Sequence, residues 1–392
     1  MSLQKCFADL HVHVGSDWLG NPVKITGSKS LTITAILEEA SRRKGLDIVG
    51  VIDAHVPAVQ EELVHLIKEG GAEELKDGGI RFEETVLILG SEIEIYDAAC
   101  NGPIHVLCYF PSLAKMEAFT EWLSYKMTNI NLSSQRFYGT GRELQEYVHS
   151  HGGWFIPAHV FTPFKSMYGK GVRSSLREVF HPDIIDGIEL GLSSDSDMAD
   201  QIEELHEYPF VTNSDAHSAI RLAREYQLVE VKEPTFLEFG KALRQSDGRG
   251  IRKNFGMNPK LGKYHRTVCA ACFHPGSPDD KSCEACGSRK MVKGVADRIE
   301  ELSTSDSTVP ARPDYIYQVP LDYLPGVGKK TYEKILDAFG TEMSIIHEAS
   351  FEEMIEIIPK NVAASILAMR AGELTIAEGG GGVYGKVQPK LS

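Results

Sequence analysis

Along residues 1–235 the chain alternates short, almost wholly apolar runs with longer stretches in which apolar positions recur every three or four residues. The runs at 6–10, 46–52, 86–89, 104–110, 154–157, 185–190 and 209–212 are rich in β-branched and aromatic residues and predict buried strands. Between them, residues 32–44 carry Ile33, Ile36, Leu37 and Ala40 on one helical face, and residues 58–69 carry Val59, Leu63, Leu66 and Ile67. Strands that alternate with amphipathic helices predict a parallel α/β fold, and seven of them suit a closed barrel better than an open sheet.

In a parallel barrel, chemistry gathers where the strands end. The sequence places His11 and His13 there in DLHVH, Asp53 and His55 in VIDAH, and Glu92 in GSEIE. His105 in IHVL, His159 in AHVF, Glu189 in GIELG and Asp215 with His217 in NSDAH continue the series. One such histidine is unremarkable, but a whole series at matching positions predicts a centre holding more than one metal ion. Imidazoles mixed with carboxylates favour zinc, manganese or iron over calcium or magnesium. Paired ions stabilise both the entering and the leaving oxygen of a phosphoester displacement, so phosphoester hydrolysis is the expected chemistry.

The series DLHVH, VIDAH, GSEIE, IHVL, AHVF and SDAH resembles the polymerase and histidinol phosphatase (PHP) superfamily of metal-dependent phosphoesterases. That resemblance implies a distorted seven-stranded (β/α) barrel over residues 1–235, with two or three catalytic divalent ions (Zn, Mn or Mg). By match to the motifs, His11, His13, Glu92 and Asp215 would hold one ion, and Glu92 would be shared with a second that also takes His105 and His159. The third would draw on the VIDAH segment, Asp53 or His55, together with His217. Ala54 separates Asp53 from His55, where many members have the two adjacent, so the choice between them stays open at this point; Asp17 is a further candidate.

Composition changes this picture beyond the barrel. The net charge of -14 excludes a wholly basic nucleic-acid-binding surface but leaves local patches. Residues 241–266 collect Lys241, Arg244, Arg249, Arg252, Lys253, Lys260, Lys263 and Arg266 against a single acid, Asp247, which suggests contact with a polyanion. Directly after His159, Lys165, Lys170 and Arg173 are interleaved with Phe161, Phe164 and Tyr168, a combination able to hold phosphate and stack a base. Residues 129–141 read as an ordinary polar loop.

Cys269-x-x-Cys272 and Cys283-x-x-Cys286 have the spacing of a four-thiolate structural zinc site, while Cys6, Cys100 and Cys108 sit in apolar surroundings and read as buried thiols. The basic segment and this zinc module span 236–302, and 303–313 reads as a linker. Residues 314–377 are expected to be helical. There Gly326, Gly328, Lys329 and Lys330 form a glycine turn running into a helix start, which resembles the helix-hairpin-helix motif that grips DNA backbone. A second copy at 358–373 is weaker, and 378–392 reads as a flexible tail. No run approaches the roughly 18 apolar residues of a membrane span and the start lacks a signal-peptide core, so a cytoplasmic location is expected.

Barrel, basic segment, zinc module and backbone grip, in this order, resemble a family of DNA-repair nucleases within the PHP superfamily. The resemblance implies cleavage 5′ to deaminated bases (uracil, hypoxanthine, xanthine) or abasic sites in double- or single-stranded DNA, leaving 3′-hydroxyl and 5′-phosphate ends. A sliding clamp or other repair protein is a candidate partner. The alternatives are a PHP-type small-molecule phosphatase acting on histidinol phosphate or nucleotides, which leaves residues beyond 235 unemployed, and a non-catalytic DNA-binding adaptor.

Overall fold

Strand β1 (Gln4–Val12) is paired on both edges, and the structure is laid out from it. In the computed structural model, which describes residues 2–304, 308–377, 379 and 385–387, β1 runs parallel to β2 (Ile48–Val51) and β2 parallel to β3 (Thr85–Ile95). β4 (Ile104–Phe110) is antiparallel to β3, and β5 (Trp154–Pro157) is antiparallel to β4. The Val160 N–H donates to the Glu189 carbonyl at 3.0 Å, which carries the pairing on to β6 (Ile188–Glu189); β6 is parallel to β7 (Phe210–Val211). Just beyond β7, Ala216 returns to β1, donating to the His11 carbonyl at 3.2 Å and accepting from the His13 N–H at 2.9 Å.

The expected all-parallel arrangement is corrected at β4. The link at 96–103 contains no helix, and without a crossover the chain can only come back antiparallel. This reversal has a functional result: His105 opens β4 rather than ending it, yet reaches the same rim as residues that follow β1, β2 and β5. The runs at 185–190 and 209–212 form only two ladder residues each, in β6 and β7.

Helix α1 (Ile33–Glu38) is capped by Thr32, whose side chain accepts from the Ala35 N–H, and continues as a π-helix over Glu39–Lys44. Helix α2 (Pro57–Lys68) starts on a proline, which has no N–H to leave unsatisfied. Both bury the predicted face, with Ile33, Ile36, Leu37, Val59 and Leu63 sealed from solvent.

On its other edge β1 is antiparallel to β8 (Tyr226–Val231), followed by antiparallel β9 (Gly250–Gly256) and parallel β10 (Asp314–Tyr317). Part of the basic segment and residues 314–317 are thus strands of the main sheet. Helices α3 (Lys329–Phe339), α4 (Glu342–His347), α5 (Phe351–Ile357) and α6 (Lys360–Arg370) follow. They are joined to the first part of the chain by a sealed ion pair, Lys44 Nζ to Glu342 Oε1 at 2.7 Å, with the Tyr332 hydroxyl donating to the same carboxylate. The expected flexible tail lies mostly outside the described residues, as do 305–307 of the expected linker. Among the described residues no helix is long and apolar enough to cross a membrane.

Lys44 and Glu342 are each at most 3% exposed, so removing one strands the other's charge. Glu342→Ala is expected to lower unfolding free energy by about 3–5 kcal/mol, whereas the double replacement Lys44→Met with Glu342→Leu costs far less. Urea titration of the two variants checks both expectations.

Candidate metal centre

Three sets of ligand atoms converge at the rim where β1 and β3 end and β4 begins. His11, His13 and Glu92 form one, Glu92, His105 and His159 a second, and His13, Asp215 and His217 a third; within each, the atoms lie within 4.8 Å of one another. Glu92 joins the first two sets through its two oxygens. Its Oε1 lies 2.7 Å from His105 Nδ1, 3.3 Å from His159 Nε2 and 3.6 Å from His11 Nε2, while Oε2 lies 3.6 Å from His13 Nε2. Asp215 Oδ1 stands 3.4 Å from His11 Nε2, 3.5 Å from His13 Nε2 and 3.6 Å from His217 Nδ1.

Carboxylates behind the imidazoles set their orientation. Glu189 takes His11 Nδ1 at 2.9 Å and Asp53 takes His13 Nδ1 at 3.0 Å, which turns each Nε2 inward. The Nε2 atoms of His11 and His13 are buried and, among the described residues, have no hydrogen-bond partner. Buried unpaired imidazole nitrogens are costly unless a cation takes them, so the residues present fit divalent metal.

In this structure Asp53, His55 and Asp17, the residues expected to complete the third set, each have other partners. Asp53 Oδ2 accepts from the Val14 N–H at 2.8 Å and holds His13 from behind; it does not join any of the three sets. His55 is turned away, with Nδ1 accepting from the Ser91 hydroxyl at 2.7 Å and Nε2 facing the Leu132 carbonyl at 3.5 Å. Asp17 closes its own turn by accepting from the N–H groups of Leu19 and Asn21.

Burial opposes charge on His11, but Glu189, Asp215 and Glu92 outweigh it and push the imidazole up to about 10. His105 is raised against the same opposition by Glu92 and Glu94. Burial works against ionisation of Glu92 too, yet His105 and Lys24 hold it well below the usual carboxylate range. Burial and the neighbouring His13 lower His217 to about 4.

Two residues of these sets hold unusual backbone: His159 has φ of 31° and Asp215 of 46°. Gly191 explains how His159 is accommodated, because a Cβ there would lie 2.6 Å from the His159 Cβ.

Sequence reasoning missed Lys24, Ser133 and Ser134. Lys24 Nζ donates to Glu92 Oε2 at 3.2 Å, Ser133 Oγ meets His13 Nδ1 at 3.2 Å, and the Ser134 hydroxyl donates to Glu92. The 129–141 loop therefore reaches the centre, and no local motif in it signals that.

The four thiols also meet, with Cys269 and Cys286 sulfurs 3.6 Å apart and Cys272 and Cys283 sulfurs 3.5 Å apart. Tetrahedral zinc at about 2.3 Å from each sulfur spaces them by about 3.8 Å, so the cluster fits that ion. Cations expected to meet DNA are scattered. Lys165 pairs with Glu94 at 2.9 Å, beside His105, and Lys170 Nζ lies 5.6 Å from the Phe164 ring. The Arg173 carbonyl accepts from Arg298, and Lys253 lies across from Leu228 and Asp314 in the sheet. Within the basic segment Lys241 and Arg249 pair with Glu238, Arg252 with Glu230 and Arg266 with Asp297, so its charge is largely answered by acids from elsewhere in the chain. Gly326 has φ of 88°, Gly328 caps α3, and Lys329 and Lys330 are exposed.

A cavity of about 660 Å³ opens directly off the metal centre. His159, Glu189 and Asp215 line it on one side; Met257, Leu261, Tyr264, Val319 and Tyr323 line it too, with Arg221, Arg224 and Lys263.

No protein-family profile matches the chain. It is 51% identical over 387 residues to the uncharacterized protein YqxK of Bacillus subtilis (strain 168), covering 99% of this chain and 100% of that one. It is 37% identical over 255 residues to the uncharacterized protein MJ0043 of Methanocaldococcus jannaschii, which covers 59% of this chain and 31% of that protein. The structure matches the lesion-specific endonuclease PfuEndoQ of Pyrococcus furiosus with a TM-score of 0.84 and 33% identity, covering 98% of this chain and 95% of that one. A crystal structure of endonuclease Q in complex with a 27-mer duplex substrate, with an abasic lesion at the active site, matches with the same TM-score of 0.84 and 33% identity, over 99% of both chains.

Glu189→Gln is expected to weaken metal binding about 10- to 100-fold by freeing the His11 ring to turn, measured by competition with a coloured chelator. Because His11 and His105 keep protons that a cation must displace, metal uptake near pH 7 should release protons, and apparent affinity should climb as pH rises toward 10. Calorimetry in buffers of differing ionisation enthalpy counts those protons.

Proposed function

Since the chain belongs to the endonuclease Q family of lesion-specific endonucleases, we propose that it nicks DNA on the 5′ side of an abasic site or a deaminated base, leaving 3′-hydroxyl and 5′-phosphate ends. The observation that carries this reading is the convergence of His11, His13, Glu92, His105, His159, Asp215 and His217 at the mouth of a cavity. Matches along essentially the whole chain favour it over a phosphatase confined to the barrel.

Zinc, manganese or magnesium held by those residues would supply an activated water and would stabilise charge on the departing 3′ oxygen. The remaining work falls to the chain. Glu189 and Asp53 hold His11 and His13 in one orientation, so that no reorganisation is needed when charge develops. The cavity lies within the roughly 300–1,000 Å³ of small-molecule sites and has aromatic and apolar walls, which suits an extruded nucleotide. A mispaired or missing base is cheaper to extrude by a few kcal/mol, and that difference would select the lesion.

In the same reading, residues 1–235 form the distorted seven-stranded barrel and the four-cysteine module is a structural zinc site. The turn through Gly326 and Gly328 into Lys329 and Lys330 grips duplex backbone as a helix-hairpin-helix, with exposed lysines beside a helix start. Lys165, Lys170, Arg173, Arg252 and Lys253 contribute phosphate contacts.

End-labelled duplexes carrying uracil, hypoxanthine, an abasic site or no lesion, incubated with each divalent metal, should be cut only at the lesion and on its 5′ side. His105→Ala should slow cutting by at least about 100-fold. Equal cutting of undamaged duplex, or a cut on the 3′ side, contradicts the proposal.

A further inference from the structure

Lys24 is a cation placed against a carboxylate of the candidate metal centre. The chain leaves β1, and backbone bonds fold it back: the Val23 N–H donates to the Gly15 carbonyl at 3.1 Å, Lys24 N–H to Val14 at 3.0 Å, and Ser28 N–H to His217 at 2.8 Å. This strap places Lys24 Nζ 3.2 Å from Glu92 Oε2 and 2.6 Å from Ser134 Oγ, with its side chain 15% exposed. The serine is held from across the molecule, where the Ser133 N–H donates to the Val23 carbonyl at 2.9 Å, and Ser134 itself has φ of 54°, a conformation costly for a residue with a Cβ.

An ammonium group so placed lies against the outer oxygen of the carboxylate that two of the three ligand sets share. Burying a positive charge next to a site built for divalent cations is unfavourable unless an anion joins them. Of the three N–H donors on the ammonium, one meets Glu92 and one meets Ser134, which leaves a third for a bound anion. We propose that Lys24, braced by Ser134, binds a non-bridging oxygen of the phosphate at which the backbone is cut. The inference rests on the nuclease reading above and adds to it a phosphate-binding cation from outside the histidine and carboxylate motifs.

Product complexes test it without turnover. A duplex nicked 5′ to an abasic site is made with either a 5′-phosphate or a 5′-hydroxyl at the nick, and its affinity for metal-loaded protein is read by fluorescence anisotropy. The wild type should prefer the phosphate end, and Lys24→Met should shrink that preference about ten-fold while binding the hydroxyl end unchanged. Elemental analysis should find equal metal in both proteins. Lys24→Gln serves for the same comparison if the methionine variant does not fold. An unaltered preference, or loss of bound metal from the variant, overturns the proposal. A wild type that binds the nicked lesion duplex no better than intact DNA instead sinks the nuclease reading on which it stands.

Discussion

Every part of the centre depends on a property of imidazole: it has two nitrogens, and fixing one decides where the other points. Glu189 behind His11 and Asp53 behind His13 do that fixing from fully buried positions, and each side chain then presents Nε2 to the same space. The cost of burying three carboxylates, Asp53, Glu92 and Glu189, beside the half-buried Asp215 is met by the imidazoles while cations are absent and by the cations when they bind. A site assembled this way has stiff walls, so what enters must adapt to it.

Much of the site was legible because strand ends put ligands into short linear motifs. DLHVH, IHVL, AHVF and NSDAH each bring candidate ligands beside the strand they adjoin, and a short, almost wholly apolar run marks each of those strands. The order of roles within VIDAH was not legible: Asp53 and His55 are equally close to the strand end, and only the three-dimensional packing shows that one braces His13 while the other bonds to Ser91. Lys24, Ser133 and Ser134 were invisible for another reason. They come from irregular segments whose path is set by backbone bonds to distant residues, such as Ser133 to Val23, and no periodicity encodes those.

The fold shows the same division. Helices and strands with strong patterns fell where expected, whereas the direction of β4 depended on what a short link could span. Likewise the basic run at 241–266 looked like one patch along the chain, but Glu230, Glu238 and Asp297 reach it from both sides and neutralise much of it. Charge counted in one dimension overstates charge in three.

The sealed contact between Lys44 and Glu342 links the segment that follows the first metal-binding strand to the C-terminal helices. A join of that kind does not act as a hinge, because parting it would expose two bare charges. In the proposed function, a double helix seated on α3 and reaching the candidate metal centre would thus meet two fixed points on one rigid frame. The polymer between those points, rather than the protein, would have to bend, and the sequences and lesions that bend most readily would be handled fastest.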